Sequence, residues 1–569
     1  MTRRPSGKIL FLALTCSYSV LCAQSGEGPY QYKVRKKIVA THGAVVSAHP
    51  LASRAGVSIL KAGGNAVDAA IATQLALAVV YPGAGNIGGG GFMVAHLASG
   101  KNITLDFREK APAAATRDMY LDANGNPQPD LSVNGHLAAG VPGTVSGLFA
   151  EMKYARLPFS TLIQPAIELA EKGFAITAAE ARGLNSTQQA FSKYNTVMPV
   201  FVKAGGWKAG DILVQKDLAG TLRRIRDKGA KGFYEGETAR LITEEMQRGK
   251  GIITAADLAG YTAKEREPSV FGYKGYTIVT MPLPGSGGVV LQQMMKMAED
   301  QPLKESGFES VKTVHLMTEI ERLAYADRAK YLGDRDYYSI PVRTLTSSAY
   351  LHKRLTLIEP GKAGTSKDIQ AGMISPLSEE TTHLDVYDKE GNAVAITTTL
   401  NGGYGSRVVV AGAGFLLNNE MDDFSIKPGI PNMYGAVGAE ANAIVPGKRM
   451  LSSMSPTLVL NKGKVFLIVG TPGGTTITTS VFQTLIDILE FGMSTEDAVN
   501  KPKFHHQWLP DTIYVEAGFP AQVRGELEKM GYRIGQRSSI GRTEVIKISH
   551  EGKIEAVGDS RGEDTAEGY

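Results

Sequence analysis

Cysteine is nearly absent from this 569-residue chain, and its two examples, Cys16 and Cys22, both fall within the first 23 residues. Those residues read as an export signal. Arg3, Arg4 and Lys8 form a positive leader, and Ile9 to Ala23 form an apolar stretch that ends in small residues. Loss of residues 1–23 would leave no cysteine, which excludes disulfides, thiolate metal sites and cysteine nucleophiles. A long apolar run is lacking too. The leader is too short to span a bilayer comfortably, and Gln24-Ser25-Gly26-Glu27 offers no stop-transfer flank. Net charge is the third scarcity: the formal +5 includes three leader cations, so the remainder is near neutral and gives no reason to expect nucleic acid. The expectation is an exported protein, periplasmic or secreted, without a stable membrane span, held together by its core.

Familiar cofactor signatures are missing or misplaced. Gly83-Ala-Gly85-Asn-Ile-Gly88 matches G-x-G-x-x-G, but a helix precedes it and a strand follows, the reverse of a dinucleotide site. No G-K-[ST] accompanies it or the second glycine loop, Leu283 to Gly288. The first loop therefore reads as tight backbone packing. His505-His506 lacks any HExxH-like spacing and reads as a surface or packing pair, so no metal and no cofactor are expected. Asp422-Asp423 lies on a segment that reads as extended, where neighbouring carboxylates face opposite ways. One of them binding an ammonium group is the simpler reading.

What is present is organised in blocks. Helical patterns cover Ser53–Val80 with a break at Lys61–Asn65, then Thr144–Tyr154, Ser160–Glu171, Asp217–Asp227, Gly236–Gln247 and Lys312–Tyr331. Short strands are expected at Phe92–His96 and Ile103–Phe107. From Gly361 to Glu380 no period survives, and a polar loop of that length calls for a functional explanation. Strands dominate afterwards: Thr382–Tyr387, Ala393–Thr399, Thr457–Val459 and Val465–Gly470, with a helix from Thr475 to Phe491 and late strands near Ile513 and Val545. Blocks of this kind predict stacked layers of sheet and helix rather than a βαβ repeat.

Thr381-Thr382-His383 opens that strand-rich part. A threonine hydroxyl is a poor nucleophile unless a base adjoins it, and a threonine at a chain terminus carries its own base, the free α-amine. Alone, the motif reads as threonines that suit a strand. It gains weight from Thr399 with Asn401, Asn418 to Phe424, Leu451 to Thr457 and Gly470 to Gly474. Arg108, at a strand end beside a glycine loop, is placed to fork onto a carboxylate.

In order and spacing these segments resemble the γ-glutamyltranspeptidase (glutathione hydrolase) family of N-terminal-nucleophile hydrolases. The resemblance extends to Asn65-Ala-Val-Asp-Ala69, Gly88 to Gly91, Leu105 to Glu109, Arg322 to Asp327 and the closing Gly568-Tyr569. It implies an α/β fold, a four-layer αββα sandwich assembled from two autoprocessed subunits. The signal would be residues 1–23, the large subunit 24–380 and the small subunit 381–569, with cleavage between Glu380 and Thr381, and the two subunits would pair as one intertwined heterodimer.

The same resemblance assigns roles. Thr381 would be the nucleophile, Thr399 would hydrogen-bond and orient it, and Gly473 and Gly474 would form a backbone oxyanion hole. Arg108, Ser452 and Ser453 would hold the substrate α-carboxylate, with Asn401, Glu420 and Asp423 on its ammonium and Tyr434 on a lid. The implied substrates are glutathione and other γ-glutamyl compounds, with water, amino acids or dipeptides as acceptors. Leu384-Asp385 and Gly402-Gly403-Tyr404 depart from the family pattern, which bears on acceptor choice and maturation rate. The alternatives are an amide acylase of the same fold, acting on a glutaryl, cephalosporin or poly-γ-glutamate chain, and an exported binding protein without catalysis.

Overall fold

The computed structural model describes residues 34–368 and 381–569. The leader and Glu380 lie outside these residues, so the expected export signal and the residue before the scissile bond lie outside them too. Among the described residues, fourteen strands build two seven-stranded sheets in which every pairing is antiparallel. In chain order they are β1 (Lys37–Ala40), β2 (Gly43–Ser47), β3 (Gly90–His96), β4 (Asn102–Asp106), β5 (Lys264–Arg266), β6 (Ser269–Tyr273) and β7 (Tyr276–Thr280). The rest are β8 (Thr382–Asp388), β9 (Ala393–Thr399), β10 (Thr457–Asn461), β11 (Lys464–Gly470), β12 (Glu544–Ile548), β13 (Ile554–Val557) and β14 (Thr565–Gly568). One sheet runs β1-β13-β12-β11-β10-β7-β6 and the other β14-β2-β8-β9-β3-β4-β5.

Three apolar clusters show how the layers stack. Ala44, Val46, Phe92, Ala393 and Ala395 of one sheet meet Leu458, Ile468 and Ile546 of the other, forming the seam between the sheets. The opposite faces carry Val45, Leu384, Val386 and Ile396 on one side, and Val459, Leu467 and Val469 on the other, each packed under helices. Successive strand residues point to opposite faces, so each central strand is apolar on both. This is the expected αββα sandwich.

Local chemistry sets the elements. Helix α1 (Pro50–Lys61) and helix α2 (Ala66–Val80) are separated where the sequence breaks. Asn65 caps α2 through a reciprocal capping box with Asp68, and Asp68 also accepts the amides of Arg156 and Leu157. The Asn65–Ala69 motif thus serves the fold. The first glycine loop packs as expected: a Cβ on Gly89 would lie 2.1 Å from the Thr399 carbonyl oxygen, and one on Gly91 2.5 Å from that of Thr397. Only glycine lets β3 approach β9 so closely there. The chain's last residue closes the structure, since the Tyr569 carbonyl accepts the amides of Thr41 and His42.

Candidate active site

Strand β8 carries the chain from Thr381 into the seam. Thr382 pairs with Thr398 and His383 with Thr397, a register that continues to set Thr381 beside Thr399. Thr381, His383 and Asp385 therefore share one face, toward the second sheet. Thr381 is 4% exposed and lines a pocket together with Thr399 and Asn401. The resemblance implied a hydrogen bond from Thr399 to Thr381. Among the described residues none joins them; the Asn401 amide donates to Thr399 Oγ1 at 2.7 Å instead. Asn401 reaches that position in the left-handed region (φ 73°), which asparagine tolerates.

Facing Thr381, β11 ends at Gly470 and the chain turns through Gly473 and Gly474 into helix α3 (Thr476–Leu489). Both glycines have positive φ, 135° and 51°. A Cβ on Gly473 would also meet Thr476 Oγ1 at 2.4 Å. Among the described residues neither glycine N–H donates to another protein group, which leaves two backbone donors for a ligand. Gly474 lines the pocket, and Gly473 is not part of its lining.

The sequence reading put the positive and negative partners of a zwitterion on separate sides. They touch. Arg108 Nη1 lies 2.6 Å from Glu420 Oε2 and 3.5 Å from Glu109 Oε2, and Nη2 donates to Asp423. Burial places all four groups in a low-dielectric cluster, and one guanidinium cannot neutralise three carboxylates. Burial pushes the Glu109 carboxyl up to about 8 and raises Glu420 and Asp423, with Arg108 opposing in each case. The cluster therefore carries less negative charge than its residue count suggests.

Asp422 and Asp423 do face different surroundings, though not for the expected reason. Glu420–Asp423 is a 3-10 turn, not an extended segment. Asp422 accepts from Ser132 Oγ at 2.8 Å and from the Met433 amide at 3.0 Å, outside the pocket, while Asp423 Oδ1 accepts from Asn432 Nδ2 at 2.9 Å. Asn432 belongs to the segment expected to form a lid. There the Tyr434 hydroxyl donates to the Asn401 carbonyl, and the ring is buried on the pocket wall.

Ser452 and Ser453 also line the pocket. The second glycine loop holds them: Ser286 donates through its amide to the Ser452 carbonyl (2.8 Å), and the Ser452 amide donates to Pro284 (2.9 Å). Among the pocket residues that the sequence did not single out are Asn432 and Arg328. Arg328 sits on the long Val311–Tyr331 helix, directly after the Arg322–Asp327 run; that adjacency was the available signal. Its Nη2 donates to Ser453 Oγ at 3.1 Å and its Nε to Ser286 Oγ at 3.3 Å.

The histidine pair is buried, not on the surface. His505 bonds Thr479 and Gln507 at 2.8 Å each, and His506 contacts Asp511 at 3.3 Å. Both rings are held below their ordinary pKa by burial, His506 at about 4. Among the described residues no group of three or more His, Asp or Glu side chains is arranged to hold a metal.

Comparison with known proteins agrees with this geometry. A family model described as gamma-glutamyltranspeptidase matches residues 52–569. The glutathione hydrolase proenzyme of Escherichia coli (strain K12) is 44% identical over 550 residues, covering 95% of each chain. That of Pseudomonas aeruginosa is 47% identical over 528 residues, covering 91% of this chain and 93% of its own. Among solved structures, the cephalosporin acylase from Bacillus halodurans superposes with a TM-score of 0.84 at 27% identity, covering 96% of this chain and 98% of that one.

Proposed function

The chain belongs to the gamma-glutamyltranspeptidase family, and we propose that it is a proenzyme cut between Glu380 and Thr381, after which Thr381 removes the γ-glutamyl group from glutathione and related compounds. The observation that carries this reading is a convergence. Thr381, Thr399, Gly474, Arg108 and Asp423, scattered along the sequence, line one pocket with Ser452 and Ser453.

The chemistry follows from what the cut creates. Cleavage converts the Thr381 amide into a primary amine whose pKa of about 7.7–8.0 leaves a fraction neutral at physiological pH. That amine takes the hydroxyl proton as Oγ attacks the γ-carbonyl. Charge developing on the carbonyl oxygen meets the Gly473 and Gly474 N–H groups, and loss of one such donor typically costs about 3–4 kcal/mol. Collapse of the tetrahedral intermediate breaks the C–N bond, and the amine proton goes to the leaving group. The resulting γ-glutamyl ester on Thr381 is resolved by water, which is hydrolysis, or by the amine of an amino acid or peptide, which is transfer.

The substrate zwitterion would enter by exchange. Its ammonium group meets Glu420, Asp423 and Asn401, and its carboxylate meets Arg108, Ser452 and Ser453. Tyr434, bonded to Asn401, would close the pocket against water. Residues 1–23 would direct export; among the described residues no helix is long and apolar enough to cross a membrane. The acylase reading draws on the 0.84 TM-score, yet identity to that structure is 27% against 44–47% to glutathione hydrolase proenzymes. A buried carboxylate pair also gives a substrate ammonium its partners, which a glutaryl group would not use.

A denaturing gel together with release of a chromophore from a γ-glutamyl anilide tests the proposal. The expected result is two chains and γ-glutamyl activity. A single inactive chain, or preference for the glutaryl anilide, would overturn it.

A further inference from the structure

Arg328 is the cation in this pocket that has no anion of its own. It is 8% exposed, and among the described residues its partners are the hydroxyls of Ser453 and Ser286, with no ion pair. Arg108 is the opposite case, with Glu420, Asp423 and Glu109 around it. A buried guanidinium held only by neutral hydroxyls is costly to keep. Burial is the main influence pulling its pKa down, and nearby Arg108 acts the same way, while Tyr325 and Asp423 oppose them.

The fold holds Arg328 where it is. Tyr325, one turn earlier on the same helix, donates through its hydroxyl to the Thr475 carbonyl at the oxyanion turn. The Ser286 hydroxyl that receives Arg328 Nε in turn donates to the Ser452 carbonyl at 2.5 Å. One helix face thus reaches both the oxyanion turn and the serine wall.

We propose that Arg328 is a substrate-binding residue whose guanidinium, with the Ser453 hydroxyl, receives the α-carboxylate of the γ-glutamyl group. This rests on the γ-glutamyl reading above and deepens it. A carboxylate against Arg108 alone also confronts Glu420 and Asp423, whereas at Arg328 it meets positive charge without a competing pair. Arg108 then serves both partners, steadying Glu420 and Asp423 for the ammonium while lending charge to the carboxylate. The fork geometry of arginine also suits a planar carboxylate.

The test compares γ-glutamyl anilide with 4-aminobutyryl anilide, which keeps the amine and lacks the α-carboxylate. Arg328→Gln is expected to split into two chains, to raise KM for the γ-glutamyl substrate at least about tenfold, and to affect the 4-aminobutyryl substrate far less. Arg328→Lys keeps charge and loses the fork, so its KM should fall between. An unchanged KM, or equal losses on both substrates, overturns the proposal in favour of a structural role. If Arg328→Gln does not mature, Arg328→Lys decides by the same comparison. Wild-type protein without γ-glutamyl activity would instead sink the functional reading itself; active wild type with indifferent Arg328 variants sinks this inference alone.

Discussion

The His383 ring occupies the space that a side chain on Gly470 would need: a Cβ there would lie 2.1 Å from His383 Cε1 and 2.4 Å from Nε2. The contact joins the strand that follows Thr381 to the strand that ends just before the Gly473-Gly474 turn. Spacing between Thr381 and Gly474 therefore depends on how one imidazole packs. Gly470→Ala is expected to destabilise the protein by about 1–3 kcal/mol through overpacking and to slow or abolish chain cleavage. Adding His383→Ala to it should recover part of the loss, a non-additivity readable from denaturant unfolding of the two single variants and the double variant.

Asp385 secures that imidazole. Its Oδ1 lies 2.8 Å from His383 Nε2, while His383 Nδ1 bonds Thr397 Oγ1 at 2.8 Å. Burial raises the Asp385 carboxyl, and His383 opposes the shift. Asp385 is thus a buried partner for the histidine of Thr381-Thr382-His383. Asp385→Ala leaves a ring nitrogen unbonded, with an expected cost of about 1–3 kcal/mol and slower appearance of the two chains on a time-resolved gel.

Glu151 gives a pH dependence away from the site. It is buried, its partner is Gln74, and burial raises its carboxyl from 4.5 to about 8. A folded-state pKa above the unfolded one means the folded protein binds the extra proton. The stability tied to that proton is fully present below the unfolded value and is lost as pH rises through about 8. Thermal melts between about pH 5 and about pH 9 should fall more steeply for wild type than for Glu151→Gln. Parallel curves would contradict this.

Tyr434 tests the lid. Tyr434→Phe removes the bond to the Asn401 carbonyl and leaves the ring in place. Hydrolysis is expected to gain on transfer several-fold at fixed acceptor concentration, measured as the ratio of free glutamate to γ-glutamyl dipeptide. An unchanged ratio would mean that Tyr434 packs without gating.

Long elements with strong patterns were legible in the sequence: α1, α2, the Val311–Tyr331 helix, β8 and β9 all lie close to where their residues predict them. The Ala178–Tyr194 helix was not, because it buries only Ala181, Leu184 and Phe191 and shows little apolar face. The candidate pocket was legible where motifs carried its lining, as at Thr381, Arg108 and Asp423. Arg328 and Asn432 were not, since a single arginine in a helix and an asparagine in a loop carry no spacing signal of their own. The contact between Arg108 and its carboxylates depends on turns that bring residues 108, 420 and 423 together, and no local pattern encodes that.

On the proposed chemistry, the working site comes into being when the bond before Thr381 breaks. Intact-mass and N-terminal analysis of the mature protein tests it most directly. A small chain of residues 381–569 beginning with Thr381 is expected, together with a Thr381→Ala variant that stays in one piece without γ-glutamyl activity. An active single chain, a small chain beginning elsewhere, or cleavage in the Thr381→Ala variant would contradict it.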